Sequence, residues 1–105
     1  MSDPAQLKQT YLPQYLADGE QRFYRSLLTY GLSKMVAMKE GKFRGATPEV
    51  EFLEYHDIFL YLYRREGDTS FLEMSRLFRK AAHKLYRVML KMEMVPRNPK
   101  FLNLV

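Results

Sequence analysis

A chain of 105 residues with 47% hydrophobic and 14% aromatic content carries enough apolar side chain for one packed domain, which excludes whole-chain disorder. The absence of cysteine excludes disulfides, thiolate metal sites and thiol nucleophiles. The net charge of +5 is unevenly placed: residues 1–75 hold nine Lys/Arg against eleven Asp/Glu, a net of −2, whereas residues 76–105 hold eight against Glu93 alone, a net of +7. A field polarised in this way orients charged partners.

Asp3 is placed to cap a first helix, with Pro4 at its first position and Gln6 reaching back. Pro13 lacks an N–H and crowds the preceding turn, so a kink or division is expected there, with a further turn or two through Ala17. Asp18-Gly19 reads as a stop and restart, and a second helix is expected over 20–39. Its apolar face collects Phe23, Tyr24, Leu27, Leu28, Leu32, Met35 and Met38, with Gly31 near the centre. A glycine there costs about 1 kcal/mol of helix stability relative to alanine, which points to the close approach of another helix.

Gly41 to Ala46 forms a loop, and Thr47-Pro48 opens a further helix with Glu49 and Glu51 in its first turn, where the helix dipole favours acids. It is expected to reach Arg65 or Glu66, with Phe52, Leu53, Tyr55, His56, Phe59, Leu60, Leu62 and Tyr63 on its apolar arc. The run Ile58–Tyr63 also suits a strand, but the upstream cap and the helical period favour helix. It is the longest unbroken apolar run, far short of the roughly 20 residues of a membrane-spanning helix. With the polar start Met1-Ser2-Asp3-Pro4, this leads to the expectation of a cytoplasmic protein without a transmembrane segment.

Gly67-Asp68 ends that helix, and Thr69 or Ser70 is expected to cap the last, Ser70 pairing with Glu73 in a capping box. Nothing interrupts Phe71–Val95, so a long helix is predicted, ended by Pro96 and Pro99. The fold class is therefore all-α, an antiparallel bundle of about four principal helices over residues 1–95, followed by a short extended tail over 96–105.

The last helix carries the most informative pattern. Arg76, Arg79, Lys80, Lys84, Arg87 and Lys91 fall within an arc of about 140° at 100° per residue. Phe71, Met74, Leu77, Phe78, Ala81, Leu85, Val88, Met89 and Met92 fill the opposite side. Solvated helices relieve repulsion with acids three or four residues away, and apart from Glu73, three residues before Arg76, these are missing from the stripe. Several cations on one rigid surface suit the phosphates of a nucleic acid, or else an acidic protein surface. A helix-turn-helix reading of 73–93 meets Arg79-Lys80-Ala81-Ala82 where a turn should be; these are strong helix formers, and one continuous helix is favoured.

Other chemistry is sparse. Gly41-Lys42-Phe43-Arg44-Gly45 lacks the spacing of a nucleotide loop and reads as an ordinary connection. His56 falls inside an apolar face as a satisfied core residue, and His83 belongs to the basic face. No metal-ligand spacing, carboxylate pair or nucleophile–base pair stands out, so no metal, cofactor or catalytic residue is expected. Ile58 and Tyr61 on the third helix and Leu72, Leu90 and Met94 on the fourth are apolar residues directed outward, a pattern that suggests a homodimer interface. Phe101, Leu102 and Leu104 make the tail too apolar to stay free, so it is expected to dock on the bundle or across a dimer. The sequence thus describes a non-enzymatic regulator that contacts nucleic acid through its last helix. The alternative is a protein–protein adaptor or homodimeric interaction protein with an acidic partner, the basic face being otherwise a solvated surface. An enzyme with a pocket around His56 and the tyrosines is a third reading.

Overall fold

A computed structural model describes residues 3–94. Three helices build it, α1 (Pro4–Lys39), α2 (Pro48–Glu66) and α3 (Thr69–Lys91), with no strand among the described residues. The expected count of four is corrected at Gly19. Its φ of 81° and ψ of 174° leave the helical region, as the expected stop and restart requires, but helix resumes at once. Residues 4–18 and 20–39 are thus the two arms of one sharply bent helix, and the rings of Tyr11 and Phe23 meet at 6.2 Å across the bend. The kink also resets the phase of the helix. Tyr15 and Phe23, eight residues and about 80° apart on a regular helix, both turn inward and meet edge-on at 5.5 Å. Pro13 lies inside regular helix on the exposed side, so it does not divide α1 as expected.

Local chemistry accounts for the helix ends. The Asp3 carboxylate accepts the Ala5 N–H at 3.0 Å ahead of Pro4. At the far end of α1, Gly41 (φ 75°) donates to Met38 O at 3.0 Å and Lys42 to Ala37 O at 2.8 Å, a Schellman motif. Gly67, at φ 74°, closes α2. Asp68, not Thr69 or Ser70, caps α3, accepting from the Ser70 N–H at 2.9 Å. Glu73 is therefore free of the expected capping box and instead accepts the Tyr15 hydroxyl, tying α3 to α1. α3 is continuous through residues 79–82, without a helix-turn-helix turn, but it ends at Lys91, short of the expected Val95. A second Schellman motif stops it there, with Glu93 donating to Leu90 O at 3.2 Å and Met94 to Met89 O at 2.9 Å.

Cross-helix contacts give the directions. Lys8 meets Glu66 and Tyr30 meets Glu51, so α1 and α2 are antiparallel. His56 meets Ser75 and Phe59 meets Phe71, so α2 and α3 are antiparallel. α1 and α3 consequently run parallel. At the centre lies Phe78, stacked on Phe59 at 5.4 Å and edge-on to Tyr11, Phe23, Phe52 and Tyr55 at 5.2–5.7 Å. Met35, Met74, Leu85 and Met89 extend this core towards the other end. Leu32, expected on the apolar face of α1, is exposed.

Candidate polyanion-binding face

Arg76, Arg79, Lys80, Lys84, Arg87 and Lys91 are all exposed on α3, while Phe71, Met74, Phe78, Ala81, Leu85 and Met89 bury the opposite side. The stripe runs from Arg76 to Lys91, 16 residues of regular helix, or about 22 Å from first to last at 1.5 Å per residue. Its two edges differ. The Lys80 ammonium lies over the ring of Tyr24 on α1, 4.6 Å from the centroid, so the lysine side of the stripe leans towards α1. Tyr24 is half-buried; burial raises its hydroxyl pKa, and the nearby Arg87 charge partly offsets this.

His83, half-buried, lies one helical turn from both Arg79 and Arg87. Burial, and then the charges of Arg79, Arg87 and His56, lower its pKa below the ordinary imidazole value. It is therefore neutral at pH 7, and the six lysines and arginines supply the charge of the face. Three ion pairs, Lys8–Glu66, Lys34–Glu51 and Lys42–Glu40, lie away from this face.

The outward apolar residues fall in different places. Ile58 is half-buried and packs on the core, and Tyr61 is exposed on α2 near the start of α3. Leu90 is exposed at the other end of α3, and Met94 is half-buried. The described residues therefore do not form one patch. Phe101, Leu102 and Leu104 lie outside the described residues. Met94 lines a cavity of about 560 Å³ with Met38, Phe43, Arg44 and Thr47, beside the α1–α2 loop.

His56 serves as a clamp between helices. The Ser75 hydroxyl donates to the His56 carbonyl at 2.9 Å, and His56 Nδ1 lies 2.9 Å from the Ser75 carbonyl and 2.7 Å from the hydroxyl. A carbonyl only accepts, so Nδ1 carries the proton and has no lone pair for the buried serine.

Sequence reading missed a polar cluster between α1 and α2. Glu51 accepts from the Tyr30 and Tyr55 hydroxyls at 3.0 and 3.1 Å and from the Lys34 ammonium at 2.5 Å. Burial acts to lower the Lys34 pKa, but the bond and charge of Glu51 outweigh it and hold the value above the ordinary one. Tyr11, whose ring meets that of Tyr55 at 5.7 Å, is pushed up to about 12, chiefly by burial and then by Glu51. The available signal was the spacing of four in both Tyr30/Lys34 and Glu51/Tyr55, on helices that pair. Among the described residues no group of three His, Asp or Glu side chains could hold a metal, and no helix is long and apolar enough to cross a membrane.

No known protein family, curated protein or solved structure matches the chain.

Proposed function

We propose that this protein is a small helical binding module that contacts nucleic acid through the phosphates, using the outward face of α3. The observation that carries the reading is the alignment of six exposed cations on one uninterrupted helix. A rigid helix holds the charges in a fixed row, so each phosphate neutralised releases counterions without the cost of first ordering the row. Arginine contributes forked donors and lysine a point charge, both suited to phosphate oxygens. Contacts of this kind position a strand without reading its bases, so binding is largely independent of sequence.

The test is the triple reversal Lys80→Glu, Lys84→Glu, Arg87→Glu. All three side chains are exposed, so the fold persists and the helical spectrum is unchanged. Wild-type affinity for duplex DNA should fall steeply between low and physiological salt, with a log–log slope of about −5 if six phosphates are engaged. The reversed variant should not bind. A wild type that fails to bind any nucleic acid at low salt refutes the proposal.

A further inference from the structure

We infer that the basic face extends across the α1–α3 groove and takes a single strand, with phosphates on the lysine edge and sugar and base faces on an aliphatic ridge of α1. This rests on the reading of the basic face given above. Tyr24, Leu28, Leu32 and Val36 are spaced four apart, so they form one ridge along α1. The ridge climbs out of the core. Tyr24 and Leu28 are half-buried against it, whereas Leu32 and Val36 are 41% and 47% exposed.

Three contacts place the ridge beside the lysines. Tyr24 meets Lys80, Gly31 faces Leu85, and the Lys39 ammonium donates to Met92 O at 2.8 Å. Leu32 and Val36 therefore lie alongside the segment 85–92 of α3. Helical spacing puts Lys80, Lys84 and Lys91 on the edge that Lys80 turns towards α1, with Val88 among them. An aliphatic ridge and a cationic row thus run parallel along one groove.

Charge complementarity requires an anionic occupant, and the ridge requires one with apolar surface beside its charges. A duplex presents only phosphates and sugars along its backbone and stacks its bases inside, so Leu32 and Val36 gain little against it. A single strand exposes base and sugar faces next to its phosphates, and such strands are held by a basic groove together with stacking platforms, chiefly aromatic. In this ridge Tyr24 is the aromatic member, and Leu32 and Val36 continue it as apolar surface.

The full chain should be titrated with an oligothymidylate, a duplex of equal length and poly-glutamate, at low and physiological salt. The comparison pairs the wild type with Leu32→Ser/Val36→Ser. The wild type should bind the strand about tenfold more tightly than the duplex, as partial burial of two aliphatic side chains allows. The variant should lose that preference with its duplex affinity unchanged. Equal or tighter duplex binding by the wild type, a preference that survives in the variant, or tighter binding of poly-glutamate each overturns the inference. Should the variant fail to fold, the wild-type comparison still decides. Absence of binding to either nucleic acid at low salt defeats the basic-face reading itself; duplex binding without strand preference defeats only this extension.

Discussion

Gly31 on α1 lies against the side chain of Leu85 on α3: a β-carbon built on the glycine would come within 2.8 Å of Leu85 Cδ2 and closer still to Cδ1. Leu85 is fully buried, and buried side chains are close-packed, so moving its methyl groups aside means displacing their neighbours. Gly31→Ala gains about 1 kcal/mol in helix propensity and incurs an overpacking cost of about 1–3 kcal/mol, so a net loss is expected. Pairing it with Leu85→Val should recover part of that loss, a coupling that a thermal double-mutant cycle measures. A higher melting temperature for Gly31→Ala alone would show that the two helices can part without cost.

The crossing at Gly31 was legible in the sequence because a glycine in the middle of an apolar helical face is a local anomaly. The same holds for the Asp3 cap, the Gly67 stop and the uninterrupted basic helix, each set by neighbours in sequence. The helix ends were legible only in part. Pro13 and Gly19 both signal a break, and only Gly19, where the stop and restart was expected, leaves helical geometry. Likewise, Ser70/Glu73 and Asp68 are rival caps for α3; Asp68 prevails while Glu73 is engaged by Tyr15, 58 residues away. For the candidate site, the six cations followed from spacing alone. The aliphatic ridge beside them did not, because Leu32 lies on the same apolar arc as the buried Leu27 and Met35 and only the placement of α3 leaves it exposed.

The ends of α1 and α3 use the same pair of hydrogen bonds with different residues at the left-handed position. Gly41 occupies it at φ 75° on α1, and Glu93 at φ 59° on α3. A residue with a β-carbon is strained there by about 1–2 kcal/mol, whereas glycine is not. Glu93→Gly should therefore stabilise the protein, less the extra unfolded-state entropy of glycine, for a net gain of about 0.5–1 kcal/mol. Gly41→Ala, the opposite change at the matching site, should destabilise. Chemical denaturation of both variants checks the pair, and effects of the same sign would refute the shared motif.

Lys34 and Glu51 form a largely buried ion pair, with side-chain exposures of 11% and 15%. Lys34→Met leaves the Glu51 carboxylate with two tyrosine donors and no counter-charge, at an expected cost of about 2–4 kcal/mol. Lys34→Met/Glu51→Gln removes both charges and should recover most of it, since a neutral amide can still accept from Tyr30 and Tyr55. Equilibrium unfolding at neutral pH measures both. If the double variant is no more stable than the single one, uncompensated charge is not the source of the loss.

Glu49 is fully buried in the first turn of α2, beside the equally buried Pro48. Its Oε1 accepts the Thr47 hydroxyl, while Oε2 is buried and meets no donor among the described residues. Burial pushes the carboxyl up to about 6, although the Glu49 and Val50 backbone N–H groups and the Lys34 charge act to lower it. A folded-state pKa above the unfolded value means that the folded protein binds this proton more tightly. The stabilisation from Glu49 is then fully present below about pH 4.5 and is lost as pH rises through about 6. At pH 7.5 the buried carboxylate weighs against folding by about 1–2 kcal/mol. Glu49→Gln, which keeps the shape and removes the charge, should accordingly stabilise the protein at pH 7.5 and change little near pH 4.5. Measuring the difference between variant and wild type across this range cancels the titration of every other group. A difference that stays constant with pH would mean that Glu49 ionises in the fold as readily as in the unfolded chain, and that its burial is relieved by solvent reaching Oε2.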